Sequence, residues 1–267
     1  MHEINSKPDS LATYLRKIWQ HRYLIFVFAI RDLKVKYAQT LLGVAWTLVY
    51  PATAVLVYTI FFSSLLHIES RYPYALFVLS GVLCWGIFSY IFNQAGSSLV
   101  SAGEMLKKIQ FPKIIIPFSK CLLALVEFAI TFLLFLLLLV IFQVDFSWKW
   151  LLFPVAILPV FFAAVGAALL LSGASVKKRD LLFIIPFIVN FSIWFTPVFY
   201  PVTLVPERYQ FVLNLNPISS AINLFRNFFF NDPLDYHSFI GFAISLVLLL
   251  TGVAFFKSVD EKINDTL

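Results

Sequence analysis

The chain has 267 residues, of which 61% are hydrophobic, 18% aromatic and only 13% charged. A soluble domain covers its surface with roughly a quarter charged residues, so this composition excludes an ordinary water-soluble globule and points to hydrocarbon as the solvent. The net charge of +6 would suit a nucleic-acid binder, but sixteen of the twenty Lys and Arg fall in alternate connections between apolar runs, a mark of membrane topology and of anionic head groups.

Residues 1–10 read as disordered. In residues 11–23, Leu11, Leu15, Ile18 and Trp19 recur at helical spacing while Arg16, Lys17, Gln20 and His21 take other faces. That pattern predicts an amphipathic helix lying in the membrane interface. The apolar run Tyr23–Ile30 is too late and too short for a cleavable signal peptide, so none is expected. With the basic residues that follow, it is expected to slant through the interface and turn near Gly43.

A hydrocarbon layer about 30 Å thick takes roughly 20 apolar residues of helix. Six segments reach or approach that length: Leu41–Leu66, Tyr74–Val100, Ile114–Phe142, Trp150–Val176, Leu181–Tyr200 and Phe239–Phe256. The predicted fold is an all-α integral membrane protein with six transmembrane helices. An N-terminal interfacial helix precedes them, and short re-entrant or interfacial helices lie between spans five and six. Residues 1–40 form the N-terminal segment, 41–256 the transmembrane domain and 257–267 a tail. Lys and Arg gather before residue 40, in 101–120, in 177–179 and after Phe256, so both termini are expected in the cytoplasm.

Residues 101–113, SAGEMLKKIQFPK, surface between two long apolar runs. Ser101 with Glu104 three residues on has the form of a capping box. Lys107 and Lys108 suit the far end of a short helix, and Pro112 pushes Phe111 out of helix. Met105, Leu106, Ile109 and Phe111 would then be offered to a partner, with Lys113 at the boundary. A plain solvated turn would not need so apolar a face.

Between the fifth and sixth spans, Asn216-Pro217 is a strong helix start, with Asn as cap and Pro in the first turn. A helix from Pro217 to Phe230 would be about 21 Å long, too short to cross. With its neighbours in 205–230 it is expected to dip into the membrane against protein or a water-filled cavity.

None of the nine glycines is followed by Lys, so the chain has no P-loop. His2, His21, His67 and His237 form no cluster in sequence. Cys84 and Cys121 are expected as small buried hydrophobes. Trp85, Phe88 and Phe92 share a helical face, while Tyr90, Asn93 and Ser97 form a more polar stripe. Tyr50, Tyr58, Trp194 and Phe199 are further candidates for an aromatic lining that packs on sugar rings. Glu127 is the one acid inside a predicted span, and it reads equally as functional or as a structural hydrogen-bonding group.

Three blocks carry a family resemblance: RDLKVKYAQTLLGVAWTLVYPATAVLVYTIFF, LSGVLCWGIFSYIFNQAGSSLVSAGEMLKKIQFPKIIIPFSK and TPVFYPVTLVPERYQFVLNLNPISSAINLFR. In this order they resemble permease subunits of polysaccharide and polyol-phosphate ABC exporters of the ABC-2 class, such as those of O-antigen, capsule or teichoic acid. The resemblance implies a homodimer in the bacterial inner membrane that works with two copies of a separate ATPase. That ATPase would bind ATP and Mg, leaving this chain no cofactor and no catalytic role. Residues Ser101–Lys113 would be the coupling helix, and Lys177, Lys178, Arg179 and Asp180 a second contact. Arg31, Lys34, Lys36 and Tyr37 would belong to a gate that receives the pyrophosphate of a lipid-linked polysaccharide. The family often has Pro-Trp in the second span, whereas this chain has Cys84-Trp85. A drug or small-lipid exporter, a membrane-embedded glycan-modifying enzyme and an ion-coupled carrier are the rival readings.

Overall fold

The computed structural model describes residues 10–65, 67, 71–106, 111–233, 236 and 238–266, and every regular element among them is helical. Helix α1, Leu11–Gln20, starts where the Ser10 hydroxyl accepts the Thr13 amide at 3.2 Å. Tyr14 is buried while Leu11, Leu15 and Trp19 stay exposed, the division expected of a helix lying in an interface. The chain breaks at His21, earlier than the expected residue 23. The run after it is one helix, α2, Arg22–Tyr37, and the chain turns at Gly43 as expected.

Among the described residues, five helices are long and apolar enough to cross a membrane. Helix α3, Trp46–Tyr58, is entered through a tight turn at Gly43–Ala45 and extended by a π-helical turn at Thr59–Leu65. Helix α4, Tyr74–Gly96, is followed by the single turns α5, Ser98–Ser101, and α6, Gly103–Leu106. Helices α7, Ile115–Ile141, and α8, Phe153–Ser175, come next. The last long helix, Ser238–Thr266, follows three shorter ones and is therefore α12.

The expected fifth span, Leu181–Tyr200, is shorter than its apolar run. Helix α9, Leu181–Ser192, with one further turn to Phe195, covers about 22 Å. Thr196 is extended, φ −130° and ψ 132°, because Pro197 crowds the backbone of the residue before it. Helices α10, Glu207–Leu215, and α11, Pro217–Phe230, then follow. The bounds of α11 are those the sequence predicts: Asn216 Oδ1 accepts the Ile218 amide at 2.9 Å, and Asn231 closes the helix in left-handed conformation.

The polar ties sort the bundle into two ends. At one, Tyr14, Phe28, Phe111, Lys113 and Asp260 meet. At the other, Tyr72 stacks on Phe230, and Trp150 Nε1 donates to the Phe229 carbonyl. Helix α11 rises between them: Pro217 lies beside Phe88, Ala163, Ala167 and Leu248, well inside the long helices, and Phe230 reaches Tyr72 at the far end.

Helix α4 is the centre, with 78% of its most apolar stretch buried against 11% for the Gly43–Ser63 helix. Small residues set the tightest approaches. A methyl group on Gly252 would sit 2.5 Å from the Gly166 carbonyl oxygen, so α8 and α12 cross backbone to backbone. One on Gly81 would sit 2.3 Å from the Val198 carbonyl, where the turn at 196–199 lies on α4. Cys84 and Cys121 are buried free thiols, as expected.

Candidate functional site: a polar cavity closed by an ion pair

Helices α2, α3, α4 and α7 enclose a cavity of about 460 Å3. Its walls include Lys36, Thr47, Tyr50, Tyr90, Asn93, Gln94, Glu127 and Thr131. The polar stripe of α4 thus faces the acid of α7, and both face Tyr50 of α3. Trp46 and Tyr50 are more than half exposed, so the cavity opens past α3.

Lys36 Nζ pairs with Glu127 Oε1 at the cavity wall. It also lies 5.1 Å from the Tyr90 ring centroid and 5.5 Å from that of Tyr37, within cation–π range. The carboxylate that stands alone in its span is therefore paired with a cation from a helix 91 residues away. A second bridge runs parallel to the first: Lys120 Nζ donates to Asp32 Oδ2 at 2.6 Å, and Arg31 holds the same carboxylate at 2.8 Å. Asp32 and Lys36 are four residues apart on α2, and Lys120 and Glu127 seven apart on α7. Each pair shares one helix face, so two complementary charged faces meet. Burial works to raise the Asp32 carboxyl, but hydrogen bonds from Lys120 and Arg31 outweigh it and hold the group below the usual carboxylate range.

The remaining gate residues divide. The Tyr37 hydroxyl shares a hydrogen bond with Thr47 Oγ1, fixing the turn from α2 into α3. Arg31 is half-exposed, and Lys34 is exposed. No motif marks Asp32 or Lys120; the signal the sequence carries for them is their i, i+4 and i, i+7 spacing to Lys36 and Glu127.

The surfacing stretch differs from its expected form. Ser101 does not cap a helix. It ends α5, and its hydroxyl donates back to the Ser97 carbonyl at 3.0 Å, because helical structure already runs through Ser98. Lys107, Lys108 and the side chains of Glu104 and Met105 lie outside the described residues. Leu106 is part-buried against the core. Phe111 is not offered to a partner: it packs on Phe28 of α2 at 5.6 Å between centroids. Pro112 precedes a buried Lys113, whose amide donates to Asp260 Oδ2 at 3.1 Å and whose Nζ lies 3.7 Å from Oδ1. Tyr14 donates to the same carboxylate at 2.9 Å. Burial first, and the Asp260 charge second, raise the Tyr14 hydroxyl, so it stays a donor. Residues 111–113 are thus fastened to α1, α2 and α12 together. Lys177, Lys178, Arg179 and Asp180 are exposed in the turn between α8 and α9.

The aromatic candidates split as well. Tyr50, Tyr90 and Asn93 line the cavity. Trp85 does not; it is 2% exposed and packs on Phe88. Phe199 is buried and stacks on Tyr58 at 4.4 Å, while Trp194 is exposed beside it. The i, i+3, i+7 face of Trp85 is a packing face, which period alone cannot separate from a lining.

A bundle of membrane-crossing helices around a paired polar cavity, with a fastened surfacing segment at one end, defines a membrane transporter subunit. The chain belongs to the ABC-2 type transporter family, which matches residues 23–230. It is 27% identical over 258 residues to an O-antigen export system permease protein RfbA of Myxococcus xanthus, covering 95% of this chain and 98% of that one. It is 24% identical over 247 residues to a Klebsiella pneumoniae protein of the same name, covering 91% of this chain and 95% of that one.

Proposed function

We propose that this chain is the membrane half of an ATP-driven exporter that moves a lipid-linked, O-antigen-like polysaccharide across the bacterial inner membrane. It would act as a homodimer with two cytoplasmic ATPase subunits, both termini on the ATPase side. The relatives' names support the substrate class. The absence of a P-loop from the sequence supports a separate ATPase. The fifth crossing would be completed by α9 and the turn-rich segment after it, with α10 and α11 re-entering from the far side. The open flank at Trp46 and Tyr50 supports a second copy completing the passage.

The observation that carries the reading is the Lys36–Glu127 pair on a cavity walled by Tyr50, Tyr90 and Asn93. A diphosphate arriving at the α2 end would compete with Glu127 for Lys36 and with Asp32 for Arg31, as charge-assisted hydrogen bonds allow. Freed from Glu127, α2 would swing and admit the glycan to the aromatic and amide wall. An ATPase pressing on 101–113 would move α2 through Phe111–Phe28, and α1 and α12 through Lys113, Asp260 and Tyr14. The push and the gate therefore share one helix. Export by the chain reconstituted with its ATPase tests this: Lys36→Glu is expected to reduce glycan transport at least about tenfold with ATPase assembly intact. Undiminished transport would overturn the gate assignment.

A further inference from the structure

At the Tyr72–Phe230 end of the bundle lies a second cavity of about 460 Å3, which the export reading leaves unused. Its wall holds Arg226, a cation 4% exposed on α11. Arg226 Nε donates to Ser80 Oγ at 3.1 Å, and Nη2 to the carbonyls of Phe77 and Val198 at 3.1 and 3.0 Å. The guanidinium also stacks over the Phe77 ring at 3.6 Å. All these partners are neutral. Nη1 donates to nothing among the described residues. The carboxylate lining the cavity, Asp232, acts on Arg226 through space but makes no hydrogen bond to it: the Tyr72 hydroxyl donates to Oδ2 at 3.0 Å, and Arg71 approaches Oδ1 at 3.5 Å, an oxygen that accepts no hydrogen bond among the described residues. Two guanidiniums therefore share one carboxylate, and the more deeply buried of them has only neutral neighbours in hydrogen-bond range.

A guanidinium never deprotonates, and burying one that must share its counter-charge with a second cation is costly. A staple between α11, α4 and the 196–199 segment could be built from a neutral amide at lower cost, so the charge asks for an anion. The rest of the wall describes what carries it. Tyr72, Tyr74 and Phe77 supply aromatic surface, and Asn223 and Thr203 supply groups that bond hydroxyls.

We propose that this cavity is a binding site for an oxyanion-bearing sugar, a uronate or a sugar phosphate, with Arg226 holding the anion. The need for an anion rests on the charges alone; the sugar rests on the reading of the chain as a glycan exporter. Such a site would hold an acidic unit of the chain as it leaves the passage.

The test is binding, measured by calorimetry on the full-length protein in nanodiscs of uncharged lipid. The probes are glucuronate, glucose 1-phosphate, glucose and inorganic phosphate. Glucuronate and glucose 1-phosphate are expected to saturate, with glucose at least about tenfold weaker for want of the charge-assisted bond. Asp232→Asn, which removes the competing carboxylate, is expected to tighten both by about threefold, the scale of one partly exposed charge. Arg226→Lys, which loses the fork, is expected to weaken both by about tenfold. Where Arg226→Lys fails to fold, Asp232→Asn and Asn223→Ala carry the test, the latter weakening both sugars. Equal binding of glucose and the anionic sugars, or no response to Asp232→Asn, would overturn the site. Inorganic phosphate as tight as glucose 1-phosphate would overturn its sugar wall. No ATPase or transport enters this measurement, so its failure and that of the export reading are separable.

Discussion

At the residue scale, the two bridges between α2 and α7 hold the polar cavity in register. The Lys36–Glu127 pair is part-exposed on the Lys side, so its contribution is on the order of 1 kcal/mol. Reversing either charge sets like charges together. Lys36→Glu or Glu127→Lys alone is expected to lower the Tm by about 2–4 °C, and the double exchange to restore most of it, in thermal unfolding of the purified protein. Asp32 carries a pH dependence with a definite sign. Its folded pKa is depressed, so its contribution is full above the unfolded value of about 3.9 and is lost as pH falls further. The stability gap between wild type and Asp32→Asn is expected to be constant above pH about 5 and to shrink below about 4, as read by unfolding across that range. These pairings were beyond the sequence. Glu127 stood out as an acid in hydrocarbon, but which cation reaches it depends on how α2 lies on α7.

At the element scale, local chemistry was the readable part. Asn216-Pro217 marked the start of α11 because capping and proline act within a few residues, and the helix runs over the predicted 217–230. The shortened α9 was equally local, since Thr196 stands before Pro197, yet apolarity through Tyr200 masked the break. Ser101 misled for the opposite reason: its spacing to Glu104 fits a cap, but the helical path from α4 had not ended. The close crossing of α8 and α12 left only glycines as a trace. Gly252→Ala is expected to destabilise by about 1–3 kcal/mol through overpacking, because its methyl would strike the Gly166 backbone. Gly86→Ala, on α4 with nothing within 4 Å, is expected to be neutral or to stabilise by up to about 1 kcal/mol. Yield and Tm of the two variants in one detergent check the contrast.

At the scale of the molecule, the sequence marked the five long apolar helices, the stretch between α4 and α7 and the short helices before α12, and left open how they are joined. The joint lies in Asp260, which no motif marked: it gathers Tyr14, Lys113 and, through the neighbouring Phe111, α2. On the proposed reading the surfacing stretch would work as a lever, since residues 111–113 are fastened inside the bundle. Asp260→Asn combined with Tyr14→Phe is expected to leave ATP hydrolysis by the assembled exporter within about twofold of wild type while transport falls about tenfold or more, a split between energy use and work. Parallel losses of both would mean that the knot serves assembly alone.

The central claim is that α2 must leave α7 for the glycan to pass. Its most direct test introduces Val35→Cys on α2 and Leu123→Cys on α7, which line one small cavity between these helices and leave Lys36 and Glu127 in place, in a Cys84→Ala, Cys121→Ala background, and joins them with a reducible bifunctional reagent. With the ATPase present, the joined protein is expected to hydrolyse ATP but export no lipid-linked glycan, and reduction to restore export. Export at the unjoined rate with the cross-link complete would contradict the account.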